Sequence, residues 1–253
     1  MKQIEILGIK IDNLNLNELL YEIDYFLRSN SGHYLVTINP EFIVEADKNF
    51  KFKIILNEAD LRVADGFGLI LAACLKGQII KQRISGADLT LEICKLAEQN
   101  NYPIYLLGGF GDTAKLAANN LKHRFPKLNI LGAEEGIIYP FFDNENSQLL
   151  ARINKAKPAI IFVAFGAPKQ EKWIKENLAR MPSICLAMGV GGTFDFLAGK
   201  TPRAPHFMRN LGLEWLFRLI IEPWRVKRIF RAVFVFLWLV IKETLSIKSQ
   251  VVK

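Results

Sequence analysis

The sequence predicts an α/β fold, a doubly wound and mostly parallel sheet flanked by helices, followed by a helical, basic C-terminal appendage. Three observations carry this. Short apolar runs alternate with amphipathic stretches from residue 33 to about 192. Several runs, such as 159–165, are continuously apolar, as strands covered on both faces are. Positive charge and aromatic residues gather beyond residue 200.

Strands are predicted at 33–39, 61–64, 103–107, 129–131, 159–165 and 184–188. Helices are predicted at 40–56, 86–100, 112–125, 144–155 and 168–180, each with apolar residues at three- and four-residue spacing. Asp112 reads as an N-cap and Pro168 as a first helical residue. Regular strand–helix alternation argues for a Rossmann-like sheet. Residues 1–200 are expected to form the catalytic domain and 201–253 a membrane-associating appendage.

A chain of 253 residues fits one α/β domain with an appendage, or two small domains. Its 51% hydrophobic content supplies a core and excludes a disordered chain. Cys74, Cys94 and Cys185 are odd in number and form no CxxC pair, which predicts reduced thiols and a cytoplasmic setting. Residues 1–12 show no basic, apolar, small-residue succession, so secretion is not expected. Beyond Thr201, ten basic residues face three acidic ones, so seven of the eight net positive charges lie there. That asymmetry predicts an anionic partner, unless it is simply a solvated face. The apolar run 232–241 is ten residues long, whereas a membrane-spanning helix needs about 20. It reads either as a helix lying in the membrane interface or as a core helix closing the domain.

In open parallel sheets ligands bind beyond the carboxyl ends of the strands. Five predicted ends carry polar or glycine-rich sequence: Thr37-Ile-Asn39-Pro40, Asp65-Gly66-Phe67-Gly68, Gly108-Gly109-Phe110-Gly111-Asp112, Gly166-Ala-Pro-Lys169-Gln170-Glu171 and Gly189-Val-Gly191-Gly192-Thr-Phe-Asp195. Glycines there let backbone amides approach a phosphate or ribose, or merely make turns. Gly108, Gly109, Gly136, Gly166, Gly191 and Gly192, with Lys169 and Asp195, are predicted substrate-binding positions. Neither GxGxxG with a distant acid nor GxxxxGK[ST] occurs, which counts against NAD-type and P-loop chemistry. Asp65, between a buried strand and a Gly-x-Gly turn, suits a general base, or a helix cap. Thr37, Asn39 and Gln170 offer neutral groups to a sugar, or to loop backbone.

His33, His123 and His206 are scattered and no Asp-x-Asp occurs, so no metal is predicted. Arginines would then neutralise a departing diphosphate, and Arg83, Arg218, Arg225 and Arg228 are available. Arg218 and Arg225 would share a helix face unless Pro223 kinks the segment.

Taken in order, Thr37-x-Asn39-Pro40, Ala64-Asp65-Gly66-x-Gly68, Arg83-x-x-Gly86-x-Asp88, Gly166-Ala-Pro-Lys-Gln-Glu171, Met188-Gly-Val-Gly-Gly-x-Phe-Asp195, Arg203-Ala-Pro205 and Leu211-Gly-Leu-Glu-Trp-Leu216 closely resemble the WecG/TagA/CpsF glycosyltransferase family. The resemblance runs from residue 1 to about 230. It implies an inverting transfer of N-acetylmannosamine, or its uronic acid, from UDP to N-acetylglucosamine carried on undecaprenyl diphosphate. It implies work in cell-surface polymer synthesis by a peripheral enzyme at the cytoplasmic membrane face, on an anionic surface and without nucleic acid or metal. By the same resemblance Asp65 is the catalytic base, with Thr37, Asn39 and Gln170 as pocket neighbours and Arg83 in the active-site motif. Arg218, Arg225 and Arg228 match tail arginines that fold over the pocket. Phe67 departs from the small residue usual in relatives, and the run after Ala232 is longer. Two other readings of the residues stand beside it: an enzyme of similar fold using NAD or a methyl donor, and a non-enzymatic protein binding membrane or nucleic acid through its tail.

Overall fold

Two short strands precede the predicted alternation. Gln3–Ile6 (β1) and Ile9–Asp12 (β2) pair antiparallel across Leu7 and Gly8, both at positive φ. Ile4, Ile6, Ile9 and Ile11 alternate inward and are buried. Helix Leu16–Arg28 (α1) follows, opened by a reciprocal capping box between Asn15 and Glu18. The sequence reading missed all three. The structure, a computed structural model, describes residues 2–29, 31–136 and 143–251.

The main sheet contains His33–Ile38 (β3), Leu61–Ala64 (β4), Ile104–Gly108 (β5), Ile130–Glu134 (β6), Ile160–Ala164 (β7) and Leu186–Gly189 (β8). All are parallel, in the order β4-β3-β8-β7-β5-β6. The hairpin is fastened to edge strand β4 by an ion pair. Asp12 Oδ2 accepts from Arg62 N at 2.9 Å and from Arg62 Nε at 3.2 Å, with both side chains buried. Such charges tolerate burial only because each is paired and hydrogen-bonded.

Helices Pro40–Lys48 (α2), Phe50–Asn57 (α3), Phe67–Leu75 (α4), Gly86–Asn100 (α5), Thr113–Arg124 (α6), Asp143–Ala156 (α7), Lys169–Asn177 (α8) and Thr193–Leu197 (α9) connect and cover the strands. The helix expected over 40–56 is two helices. Asn49 leaves helical geometry, ends α2, and caps α3 by accepting from Phe52 N at 3.1 Å. Pro168 sits one position earlier than expected, at the N-cap of α8. Asp112 holds the N-cap position of α6 without capping it, because its carboxylate pairs with Lys200 at 2.5 Å.

Successive strand residues serve opposite faces. Leu35, Leu106, Phe162 and Leu186 enter the core beneath α1, α5, α6 and α9. Val36, Leu107, Ile161 and Ala187 enter the core beneath α2, α3, α4, α7 and α8. The neighbours β3 and β8 therefore send the chain to opposite faces, through α2 and α9. Their diverging ends open a crevice, the usual place for a ligand in such sheets.

The tail comprises His206–Asn210 (α10), Glu214–Ile221 (α11), a 3₁₀ turn Pro223–Arg225, Val226–Phe230 (α12), a π-helical turn Arg231–Val235 and Phe236–Val251 (α13). Pro223 begins a new element, so Arg218 and Arg225 do not share one helix face. Phe236 and Val240, four residues apart, are fully buried in the core with α2 and α4. Lys76 and Glu243 add an ion pair at 3.0 Å. Phe234 and Trp238, 61% and 59% exposed, lie on the other side of the same run. The run 232–241 thus closes the core with one side and faces outward with the other. Among the described residues no helix is long and apolar enough to cross a membrane.

Candidate active site

The crevice is a cavity of about 850 Å³, within the range of small-molecule sites. The ends of β3, β4, β7 and β8 and the loop after β5 form one wall, and residues of α11, α12 and α13 form another. Thr37, Asn39, Asp65, Arg83, Gln170, Arg218 and Arg228 all line it. So do Gly109, Gly136, Gly166, Gly191, Gly192, Lys169 and Asp195. Gly108 does not. Its φ is +113°, and a Cβ there would meet the Ala164 backbone at 2.7 Å, so this glycine lets β5 and β7 pack rather than receive a ligand.

Asp65 follows β4, where its N–H donates to Ile38 O at 2.6 Å. Its Oδ2 accepts from the Gly86 N–H at 3.1 Å. Gly86 is the first residue of α5, so the carboxylate meets an amide that helix geometry leaves without an internal partner. Asp65 therefore supports the start of α5, whose N-cap is Ser85, and does not cap the adjacent α4. Burial raises the Asp65 pKa to about 6. The Gly86 N–H opposes that rise, Glu214 adds to it, and Arg83 and Arg218 oppose it. Thr37 flanks the same point: a Cβ on Gly86 would lie 3.1 Å from Thr37 Oγ1 and 3.7 Å from Asp65 Oδ2.

Two of the predicted pocket neighbours organise backbone. Asn39 Oδ1 accepts from Phe42 N at 3.1 Å and caps α2, with Pro40 at the first helical position. Gln170, 2% exposed, accepts with Oε1 from Gly166 N at 3.1 Å and Gly191 N at 3.0 Å, tying the ends of β7 and β8 together.

Three of the predicted arginines have described side chains. Arg83 Nη2 donates to Arg209 O at 2.8 Å, which joins the cavity wall to α10. The Arg218 guanidinium lies 4.7 Å from the Phe196 ring centre and 3.5 Å from Glu214 Oε1. Arg228, at the rim, pairs with Glu41 at 2.8 Å. The Arg225 side chain lies outside the described residues.

Sequence reasoning gave no role to Glu214, which lines the cavity and bears electrostatically on Asp65. Nor did it single out Phe110, 83% exposed at the cavity wall, or Asp88. Asp88 Oδ1 accepts from Arg203 Nη1 at 2.7 Å and Arg209 Nη1 at 3.4 Å, and Oδ2 accepts from Ser85 Oγ at 2.6 Å. The signal was present in Arg83-x-x-Gly86-x-Asp88 and Arg203-Ala-Pro205, but their meeting is tertiary.

The model of the glycosyl transferase WecG/TagA/CpsF family matches residues 4–250. The chain belongs to this family. It is similar to the N-acetylglucosaminyldiphosphoundecaprenol N-acetyl-beta-D-mannosaminyltransferases of Staphylococcus aureus strains NCTC 8325 / PS 47 and COL, at 32% identity over 249 residues. The match covers 98% of this chain and 95% of each relative. The protein of the same description from strain MRSA252 matches equally, at 32%. The chain is thus a glycosyltransferase. The readings as a cofactor-dependent enzyme of another class, or as a binding protein without activity, give way to it. The cavity of this glycosyltransferase brings a buried carboxyl group, Asp65, together with Arg83, Arg218 and Arg228.

Proposed function

We propose that this glycosyltransferase moves N-acetylmannosamine, or its uronic acid, from UDP to N-acetylglucosamine on undecaprenyl diphosphate, with inversion. The acceptor hydroxyl loses its proton to Asp65 as its oxygen bonds to the anomeric carbon. The bond from that carbon to the UDP oxygen breaks, and its electron pair leaves with the diphosphate. Arg83 and Arg218 meet the departing charge, so no metal is invoked. The observation that carries the reading is the buried Asp65, its pKa raised, in one cavity with Arg83, Arg218 and Arg228.

Residues 201–253 act in this reading as an appendage that completes the site and rests on the cytoplasmic membrane face. Exposed Phe230, Phe234, Trp238 and Ile241 lie in one stretch with Lys227, Arg231 and Lys242, a composition suited to an anionic lipid interface. The acceptor is itself lipid-linked, so docking and substrate capture would share one surface. UDP release measured with UDP-N-acetylmannosamine, its uronic acid and UDP-glucose, each against lipid-linked N-acetylglucosamine, tests the proposal. Acceptor-dependent release with one of the first two supports it, and release only from UDP-glucose, or from none, overturns it.

A further inference from the structure

Beside Gln170 lies a carboxyl group that the mechanism leaves unused. Glu171 is fully buried, its Oε1 accepts from Gln170 Nε2 at 2.7 Å, and its Oε2 has no hydrogen-bond partner. The pair is pressed against the end of β8. A Cβ on Gly189 would lie 2.5 Å from Gln170 Nε2 and 2.8 Å from Glu171 Oε1, so a larger residue there would displace the pair.

We propose that Glu171 is a positioning residue, whose carboxyl holds the Gln170 amide in the one orientation that ties the β7 and β8 end loops together beneath the donor. The argument is one of donors and acceptors. Gln170 Oε1 faces two backbone N–H groups, at Gly166 and Gly191, which only an oxygen satisfies. Turned over, the amide would set its NH₂ against those two donors and its oxygen against another oxygen. Glu171 makes the second orientation untenable. Burial also raises the Glu171 pKa to about 7. Protonation leaves the hydrogen bond intact, because a proton on Oε2 keeps Oε1 an acceptor. A buried carboxyl with one oxygen unpaired is costly, and stability alone would favour an apolar side chain of similar length. Its use is therefore in shaping the loops. The inference rests on the proposed reaction only for where the donor sits.

Glu171→Met and Glu171→Gln, made in the full-length chain, separate positioning from support. Glu171→Met is expected to fold with a Tm close to wild type, since it removes the unpaired Oε2 but leaves the buried Gln170 Nε2 without its acceptor. Its donor KM should rise about tenfold at unchanged acceptor KM, the size of one lost buried hydrogen bond. Amide exchange at Gly166 and Gly191 should accelerate with it. Glu171→Gln offers a carbonyl in place of Oε1, so KM and exchange should return to within about threefold of wild type. Wild-type KM and exchange in Glu171→Met, a lowered Tm without a KM change, or equal damage in Glu171→Gln would each overturn the proposal. Should Glu171→Met not fold, the exchanged pair Gln170→Glu with Glu171→Gln replaces it. Better loop protection in the pair than in Gln170→Glu alone supports the proposal, and no difference refutes it. Amide exchange needs no donor, so it stays readable if no UDP-sugar proves active.

Discussion

The backbone N–H of Gly86 donates to Asp65 Oδ2 at 3.1 Å, which places the first amide of α5 against the carboxylate at the end of β4. Two opposed influences meet there. Burial pushes Asp65 toward its neutral form, while the amide and the nearby Arg83 and Arg218 favour the charged one. Burial prevails, and the pKa stands at about 6. A carboxylate so tuned is ionised at neutral pH yet more basic than an exposed aspartate.

The pH profile follows. A base must be ionised to act, so kcat/KM should rise with pH and level off above about 6. For stability the sign is the reverse. The folded pKa exceeds the ordinary 3.8, so between the two values the folded chain binds the extra proton, and stability falls as pH rises through that window. Initial rates and Tm measured across pH 4–8, about two units either side of the pKa, check both slopes. A flat rate profile would remove Asp65 from the base role.

Gly86→Ala tests the space beside that carboxylate. Alanine is a better helix former, so stability should hold or rise slightly. Its Cβ would stand 3.1 Å from Thr37 Oγ1, however, and crowd the point where Thr37 and Asp65 converge. We expect kcat to fall about ten- to hundredfold with nucleotide affinity unchanged, as measured by steady-state kinetics and calorimetry.

Asp88 anchors the start of the tail through Arg203 and Arg209. Burial pulls its pKa upward, but Arg203, Ser85 and Arg209 outweigh that and leave it below the usual value. Asp88→Ala would leave the Arg203 and Arg209 guanidinium groups without their carboxylate, and the Nε of each is already buried and unpartnered. Limited proteolysis should then cut faster after Thr201, and activity should drop about tenfold or more.

The strand ends were legible because apolar runs stop at glycine-rich sequence, and five such stops converge by topology. Asp65, Arg83 and Arg218 were found for that reason, or through the family motifs. The hairpin β1–β2 was not, because its strands are four residues long and its anchor, Arg62 to Asp12, spans fifty residues of chain. Asn39 was read as serving a sugar or loop backbone, and the backbone role observed was legible in Asn before Pro, the signature of a helix start. The two-helix split at Asn49 was hidden because apolar spacing continues through it. Gly108 failed for a physical reason: a strand-end glycine serves close backbone packing as readily as a ligand, and only the position of Ala164 distinguishes the two.

The central claim is that Asp65 accepts the acceptor's proton in this cavity. Asp65→Asn keeps an oxygen for the Gly86 N–H and removes the basicity. Calorimetry with UDP and a transfer assay on the lipid-linked acceptor, run on the same preparation, give the most direct measurement. The expected result is wild-type UDP affinity with turnover reduced by about 10²- to 10⁴-fold. Turnover near the wild-type rate would contradict the claim.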